Sequence, residues 1–470
     1  PQAIPITFNI EKKDRAPCVA ACPAGTNVQG YVQLIGQGKY PEAIQLIMER
    51  LPLPGVLGRV CPHPCETKCR RAEIDAPVAI RELKRFVADQ VNLEGLPPPD
   101  ITERPEKIAI VGSGPAGLTA AYYLRLRGYQ ITIFEALTEL GGMLRVGIPD
   151  YRLPPEILAK EIHNILRLGI ETRTGVRFGD DFILKDLEQD GFSAVYLAIG
   201  AHGSIKLGIP GETENVGILD ALQFLRNINL GARTSPGNDV VVIGGGNVAI
   251  DAARAAKRLG THKITVVYRR SREEMPAYAE EVQGAIEEGL EFLYLTTPVR
   301  YRTHNGSLTG LECVRNELGP PDESGRRRPV PLEGSEFLIS CDAVIPAIGQ
   351  GIDTPWADRL PDLKWTRRGT LAVDPDTMQT SLPHVCAAGD AVSGPATAIE
   401  AVAAGHRAVK GIERYLANEE MGEALVQMAA SNPGNSNWQN VPENLPEETR
   451  AAPAHLAAAS RVNSFEEIEQ

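Results

Sequence analysis

Residues 108–136, IAIVGSGPAGLTAAYYLRLRGYQITIFEA, decide the fold of this 470-residue chain. A short β-branched run leads into a glycine turn, a helix and a second strand, which together predict one βαβ unit. Gly112 permits the tight turn, Gly114 lets the backbone approach a pyrophosphate, and Gly117 lets the helix pack on the strand. The helix that begins near Pro115 points its positive end at the phosphates. The stretch therefore predicts a dinucleotide site.

Glu135 ends the second strand of this unit. A carboxylate there accepts hydrogen bonds from ribose hydroxyls, and its charge selects against an additional phosphate. A lone glycine triplet is weak evidence, but strand, helix and acid all follow in the expected order. We therefore predict that the first unit binds a dinucleotide without a 2′-phosphate.

A second copy of the pattern occupies residues 240–270, VVVIGGGNVAIDAARAAKRLGTHKITVVYRR. Gly244, Gly246 and Ala249 form the G-x-G-x-x-A variant of the motif. Two nucleotide-binding units are therefore predicted in one chain.

The second unit ends in two cations, Arg269 and Arg270, where the first has an acid. Guanidinium groups match phosphate oxygens, so this site is predicted to prefer the 2′-phosphorylated dinucleotide NADPH. If each contact contributes about 1.5–3 kcal/mol, the preference over NADH is about two to four powers of ten. The alternative is that two surface arginines merely cap a strand.

Two sites of opposite charge imply two different nucleotides, and we predict that the permanently held one is FAD. Asp390, in the segment Ala388-Gly389-Asp390, follows an apolar strand and precedes a helix. Its carboxylate is expected to hold flavin hydroxyls, while the N-terminus of that helix faces the flavin or its phosphates. A Gly-Asp pair is common in turns, and only its place after two dinucleotide units gives it this meaning.

The cysteines are concentrated near the N-terminus, where a C-x3-C pair and a C-x3-C-x3-C triplet bring several sulfurs together. In a long enzyme such clustering favours metal binding or redox chemistry over disulfides. We predict one [4Fe-4S] cluster that draws on these five thiols; zinc and unliganded thiols are the alternatives. The five are Cys18, Cys22, Cys61, Cys65 and Cys69, whereas Cys313, Cys341 and Cys386 are interpreted as small buried hydrophobes.

The net charge of −12 argues against nucleic acid as a partner. The densest basic run, Arg326-Arg327-Arg328, is interpreted as a solvated turn. No stretch has the roughly 18 consecutive apolar residues of a membrane span, and the N-terminus lacks a signal pattern. We therefore expect a cytoplasmic protein without membrane insertion.

Three further segments resemble the small, or beta, subunit of glutamate synthase and its relatives, which include the N-terminal half of dihydropyrimidine dehydrogenase and subunits of NADPH-ferredoxin transhydrogenases. The resemblance covers about residues 17–417, and it implies a helical iron-sulfur domain, an FAD domain interrupted by an NADPH domain, and electrons leaving for a partner. The segments are GGMLRVGIPDYRLP (141–154), YRRSREEMP (268–276) and AAGDAVSGPATAIEAVAAGHRA (387–408).

The same resemblance bears on the cysteines. The two-cluster pattern of the relatives carries an additional C-x2-C before Cys18, and the equivalent positions here are Ile10 and Lys13, neither a usual ligand. The presence of a second cluster is left open. The relatives imply one cluster on Cys22, Cys61 and Cys65 with a non-cysteine fourth ligand near Lys84, and another that involves Cys18 and Cys69.

The predicted fold class is α/β, with two Rossmann-like dinucleotide-binding domains for FAD and NADPH preceded by a small helical iron-sulfur domain. The predicted ranges are 1–100 for the helical domain, 105–235 and 346–417 for the FAD domain, 236–345 for the NADPH domain, and 418–470 for a linker or tail. The candidate FAD residues are Gly112, Gly114, Pro115, Ala116, Gly117, Glu135, Gly142, Arg145, Gly200, Gly389, Asp390, Thr397 and Ala398. The candidate NADPH residues are Gly244, Gly246, Asn247, Val248, Ala249, Asp251, Arg269 and Arg270.

The sequence thus predicts a flavoprotein that takes hydride from NADPH onto FAD and passes single electrons through the cluster to a larger enzyme subunit or a ferredoxin-like protein. Hydride passes directly between stacked rings, so no acid-base pair is expected. A dithiol reductase is disfavoured because the sequence contains no C-x-x-C. A self-contained reductase of a small acceptor and a non-catalytic flavin adaptor remain alternatives.

Overall fold

The computed structural model describes residues 15–212, 216–322, 325–352, 356–417, 446 and 448–469. Ile10 and Lys13, at which the sequence departs from the two-cluster pattern, lie outside the described residues.

The N-terminal part is helical and packs around an apolar core to which Ile399 and Val402, far along the chain, also contribute. Tyr31, Ile44, Ile47 and Leu57 are almost completely buried in it. Its helices are α1 (Pro17–Ala21), α2 (Val28–Gly36), α3 (Tyr40–Met48), α4 (Pro54–Val60), α5 (Pro64–Thr67) and α6 (Ile80–Gln90).

The first βαβ unit and its continuation follow. Apolar residues fill the opening strand because helices cover both of its faces, and Ile108, Ala109 and Ile110 are fully buried. The elements are β1 (Lys107–Val111), α7 (Pro115–Leu126), β2 (Gln130–Glu135), α8 (Met143–Val146), α9 (Pro155–Leu166), β3 (Glu171–Thr174), α10 (Leu184–Gln189), β4 (Ala194–Leu197), β5 (Gly203–Ser204) and α11 (Ala221–Asn229).

The second unit carries an antiparallel insertion. Its parallel sheet has the order β13-β6-β7-β8, and β9 to β12 form a separate antiparallel sheet beside it. The elements are β6 (Asp239–Ile243), α12 (Asn247–Arg258), β7 (Lys263–Val267), α13 (Ala279–Glu287), β8 (Glu291–Leu293), β9 (Thr296–His304), β10 (Ser307–Pro321), β11 (Arg327–Pro331), β12 (Phe337–Ser340) and β13 (Ala343–Pro346).

The chain then returns to the first sheet. The late strand β15 pairs in parallel with β4, which gives the order β15-β4-β1-β2-β3. The remaining elements are β14 (Gln350–Gly351), β15 (Val385–Ala387), α14 (Asp390–Ser393), α15 (Ala398–Leu416) and α16 (Ala458–Arg461). None of the helices in the described ranges combines the length and apolar composition that a bilayer crossing needs.

The C-terminal segment 448–469 lies in the interval predicted as a linker or tail, and it packs against the other units. The Ile468 amide donates to the carbonyl of Tyr151 at 3.1 Å. Glu469 pairs with Arg81 at 3.0 Å, while Arg461 pairs with Glu287 of α13 at 3.2 Å. The segment therefore bridges the helical domain and the second nucleotide-binding unit.

Glu161 of α9 joins the first sheet unit to the helical domain. Its carboxylate accepts hydrogen bonds from the amides of Gly55, at 2.5 Å, and Val56, at 2.9 Å, in the first turn of α4. These amides lack partners within the helix, so the carboxylate caps α4 from another domain. Complete burial raises the pKa of Glu161 to about 7, and the two hydrogen bonds oppose that shift.

Glu161→Gln is expected to weaken the pH dependence of stability. Between the unfolded pKa of 4.5 and the folded pKa of about 7, the folded chain holds a proton that the unfolded chain has released. Stability therefore increases as pH falls through this window, by up to about 3 kcal/mol. Thermal unfolding at pH 5.5 and pH 8 should show a smaller loss of stability with rising pH in the variant. Equal losses in both proteins would contradict this assignment.

Candidate functional site

Both glycine turns open into one cavity of about 1690 Å³. The turns lie at the carboxyl ends of β1 and β6, the edge at which parallel α/β sheets bind ligands. Sites for single drug-sized ligands measure roughly 300–1,000 Å³. The cavity is therefore large enough for two nucleotides next to each other.

The first turn presents bare backbone to this cavity. Gly112 has φ +106°, and a Cβ there would lie 2.3 Å from the Ala198 carbonyl oxygen. A Cβ on Gly117 would lie 2.0 Å from the Gly112 oxygen, whereas one on Gly114 would have no described atom within 4 Å. The first and third glycines are thus required by packing. Gly114 leaves open the space that a pyrophosphate needs.

Glu135 is buried at the end of β2 and held in a fixed orientation. Its carboxylate accepts hydrogen bonds from the Ser113 amide at 2.9 Å, the Ser113 hydroxyl at 2.5 Å and the Leu137 amide at 2.9 Å. These bonds link the acid to the glycine turn. The carboxylate still borders the cavity, where it gives this end a negative charge.

A second helix start faces the same end of the cavity. Thr397 caps α15, and Thr397 and Ala398 border the cavity together with Gly389 and Asp390. Asp390 accepts a hydrogen bond from the Ala396 amide at 3.2 Å, and burial raises the pKa of its carboxyl to about 7. The helix starts of α7 and α15 thus direct their positive ends at one region, as a diphosphate requires.

All the candidate residues of the first site except Gly117 and Arg145 border the cavity. Pro115, Ala116, Gly142 and Gly200 line the wall. Arg145 does not, because its guanidinium is turned towards Glu139 and the Leu140 carbonyl. Arg145 is therefore not part of the described cavity wall, and its predicted contact with FAD stays a prediction.

The second turn repeats the geometry of the first. A Cβ on Gly244 would lie 2.3 Å from the Ala347 carbonyl oxygen, and one on Gly246 would have no described atom within 4 Å. Asn247 and Val248 border the cavity, while Ala249 is fully buried at the position where α12 packs on its strand.

The two arginines after β7 differ in their surroundings. Arg269 is exposed and borders the cavity. Arg270 also borders it, but only 3% of the residue is accessible. Its Nη2 lies 2.5 Å from Asp322, and its Nε donates to the Arg327 carbonyl at 2.7 Å. The guanidinium of Arg270 is therefore already paired, which the sequence did not anticipate.

Asp251 points at an arginine of the first unit. Arg152 pairs with Asp251 at 2.7 Å and with Glu281 at 2.9 Å, and all three are largely buried. This ion pair joins the FAD and NADPH units across the cavity wall. The sequence analysis did not single out Arg152 as a functional residue, although it lies in segment 141–154, one of the three on which the family resemblance is based.

Electrostatic interactions connect the five N-terminal cysteines. Burial and the neighbouring thiols of Cys61 and Cys22 raise the pKa of Cys65 to about 12, with Lys84 opposing. The pKa of Cys18 is raised by burial, then by the Cys69 thiol and also by the Cys22 thiol. Cys22 therefore lies near both Cys18 and Cys65, and the division into a trio and a pair stays what the resemblance implies.

Thiolates are the usual ligands of iron-sulfur clusters, so the five cysteines suit such a group chemically. Among the described residues, no three His, Cys, Asp or Glu side chains are grouped as a bound metal ion requires. Cys61 directly follows Val60, which borders the cavity, so Cys61 lies next to the nucleotide region. None of the described residues that line the cavity is a cysteine.

Two Rossmann-like units that share one cavity define an oxidoreductase of the two-dinucleotide class. Residues 106–405 match the family model for pyridine nucleotide-disulphide oxidoreductases, and the chain belongs to this family. Residues 12–96 match the model described as dihydropyrimidine dehydrogenase domain II, 4Fe-4S cluster. These matches confirm the fold class and the predicted cofactors, FAD, NADPH and a [4Fe-4S] cluster.

Curated relatives confirm the resemblance to glutamate synthase small subunits. The beta subunit of NADP(+)-dependent formate dehydrogenase from Moorella thermoacetica is 46% identical over 85% of this chain and 60% of its own length. The small chain of glutamate synthase [NADPH] from Escherichia coli K12 is 33% identical over 85% of this chain and 88% of its own. This chain thus spans about three fifths of the length of the formate dehydrogenase beta subunit.

A solved structure shares the fold. FprA from Mycobacterium tuberculosis, in complex with NADPH, superposes with a TM-score of 0.56 at 20% identity, covering 69% of this chain and 89% of FprA.

Gly114→Ala and Gly117→Ala should separate cofactor binding from folding. Gly114 has extended backbone angles that alanine adopts, so its variant should fold, with a methyl group where the pyrophosphate approaches, and be purified with much less FAD. Gly117→Ala forces a methyl group onto the Gly112 carbonyl and should lower the melting temperature by several degrees. Flavin absorbance and thermal unfolding of both variants provide the measurement. Normal flavin content in Gly114→Ala would rule out this position for the pyrophosphate.

Proposed function

We propose that this chain is an electron-transfer subunit that oxidises NADPH and delivers single electrons to a partner protein. When bound, NADPH supplies a hydride to FAD, and the cluster carries the electrons onward one at a time. The observation that carries the proposal is the shared cavity, which borders Glu135 at one strand end, Arg269 at another, and Val60 next to Cys61.

The chain contributes binding and orientation to this reaction. Gly114 and the starts of α7 and α15 would hold the diphosphate of FAD, while Glu135 would hold the adenosine ribose and Asp390 the flavin side. Gly246 and the start of α12 would hold NADPH. Arg152 would keep the two units in register through its ion pair with Asp251, so that reacting rings meet without solvent between them.

The trio of Cys22, Cys61 and Cys65 would hold the cluster that receives electrons from the cavity. The position of Cys61 next to Val60 supports this assignment, because electrons then cross a short stretch of packed protein. The proposal includes a cytoplasmic location, where clustered thiols remain reduced.

The partner would be a larger enzyme subunit, as the names of the formate dehydrogenase and glutamate synthase relatives indicate for those proteins. A ferredoxin-like carrier is the second candidate, since single electrons leaving through a cluster suit either acceptor. The chain would then supply electrons and the partner the substrate site.

Anaerobic addition of NADPH should bleach the flavin absorbance of the purified protein, while NADH at the same concentration should do so at least tenfold more slowly. The positive charge at the end of β7 is the reason, because NADH lacks the phosphate that it attracts. Stopped-flow absorbance measures both rates. A colourless protein, or a flavin that neither nucleotide reduces, would overturn the proposed function.

Cys65→Ser should lower the iron and acid-labile sulfide content to a small fraction of the wild-type value, because it removes one member of the trio. Cys313→Ser is the matched control, since Cys313 is also buried but lies in β10, away from the trio. It should retain full iron content. Equal iron in the two variants would contradict the assignment of the trio.

A further inference from the structure

Residues 455–469, here called the C-terminal loop, form one wall of a second, smaller cavity. The two ends of the loop are paired, because the Leu456 amide donates to the Ile468 carbonyl at 3.0 Å and His455 forms an antiparallel bridge with Glu469. The smaller cavity has a volume of about 80 Å³. The residues of the loop that line it are His455, Arg461, Glu467, Ile468 and Glu469.

The smaller cavity separates the C-terminal loop from the nucleotide region. Val60, Arg152 and Tyr278 border both cavities, so they form a wall with the large cavity on one side and the smaller one on the other. Cys61 borders the smaller cavity, and only 5% of this residue is accessible. The loop therefore covers Cys61 from the side opposite to the nucleotides.

Two acids attach the C-terminal loop to the helical domain. Glu467 pairs with Arg59 of α4 at 2.7 Å and with Arg85 of α6 at 2.9 Å. Glu469 pairs with Arg81 of α6 at 3.0 Å and with Arg85 at 2.8 Å. The three arginine side chains are at most 10% accessible, and ion pairs that also form hydrogen bonds are among the stronger polar contacts. These four contacts hold the end of the loop on the helices next to Cys61.

The middle of the C-terminal loop packs on both nucleotide-binding units. The ring centre of Phe465 lies 3.8 Å from the guanidinium carbon of Arg233 and 6.2 Å from the ring centre of Tyr151. Arg461 pairs with Glu287 of α13 at 3.2 Å. The loop is thus attached to three units around the smaller cavity, so it is held in place from several sides.

We propose that the C-terminal loop is a lid that shields Cys61, and the iron-sulfur cluster held there, from solvent, and that Glu467 and Glu469 keep this lid closed. The inference rests on the assignment of Cys61 to the cluster in the proposed function. Exposure to solvent is one of the properties by which a protein controls such a cluster. A closed lid would slow the access of chelators and oxidants to the iron.

The double variant Glu467→Gln/Glu469→Gln should open the lid, because glutamine keeps the size of each side chain but removes its charge. The Ile468 amide donates to the Tyr151 carbonyl in the closed state, and it should exchange its hydrogen about ten- to a hundredfold faster, the effect of one lost charge-assisted contact. Hydrogen exchange with mass spectrometry on the FAD- and cluster-loaded full chain measures this rate.

The same variant should lose iron about tenfold faster or more to the uncharged chelator 2,2′-bipyridine under anaerobic conditions, since the opening that frees the amide also exposes the cluster. Glu466→Gln is the matched control, because it removes the same charge from the neighbouring position. Glu466 is exposed and is not among the described residues that line either cavity. This variant should match the wild type in both exchange and iron release.

Phe465→Ala provides a second way to open the lid that leaves the acids and arginines unchanged. It removes the packing on Arg233 and Tyr151, so exchange at Ile468 and iron release should both increase. Flavin absorbance and the initial iron content show whether each variant is folded and loaded. Faster exchange with an unchanged rate of iron release would overturn the shielding role. Unchanged exchange in the double glutamine variant would overturn the role of the two acids.

These outcomes are distinct from a failure of the proposed function. If NADPH bleaches the wild-type flavin and Cys65→Ser loses its iron, but the lid variants release iron at the wild-type rate, only the inference about the C-terminal loop is overturned. If the wild-type protein contains no iron, the cluster assignment is refuted and both proposals fall.

Discussion

The close approach of a glycine to a neighbouring carbonyl oxygen is the constraint on which the molecule depends. Gly112 lies against the Ala198 oxygen, and Gly244 lies in the same way against the Ala347 oxygen. At both places a strand ends, the chain turns sharply and a helix starts with its amides facing outward. Any side chain there would push the helix off the sheet, so one steric requirement creates both nucleotide sites.

From two similar turns the chain builds two unlike sites by placing different charges at the following strand ends. Glu135 is held by the amide and hydroxyl of Ser113, next to its own turn. The second unit instead has the exposed Arg269 at this place. Beside it, the side chain of Arg270 is hydrogen-bonded to Asp322 and to the Arg327 carbonyl. Buried ion pairs such as that of Arg152 with Asp251 then fix the orientation of one unit on the other. That orientation sets the distance and angle between a flavin ring in the first unit and a nicotinamide ring in the second.

Local motifs predicted the nucleotide turns, the helical N-terminal region and the cysteine cluster, because each is encoded within a few residues. The role of single side chains was harder to predict. Arg145 belongs to a recognisable segment, yet it turns away from the cavity. The run 326–328 was interpreted as a solvated turn, and Arg327 and Arg328 are exposed, but the hydrogen bond from Arg270 to the Arg327 carbonyl joins two segments that no local pattern connects. Arg270 has the expected charge, but a distant aspartate neutralises it.

The sequence by itself determined that two dinucleotide units and a thiol-rich helical domain occur in this chain, since glycine spacing, strand hydrophobicity and cysteine spacing are local properties. Only the tertiary structure decided that both turns open into one cavity, that Cys61 lies beside it, and that the C-terminal segment bridges two units. These features depend on contacts between residues far apart in the chain, whose geometry is set by the packing of whole elements and not by any local pattern.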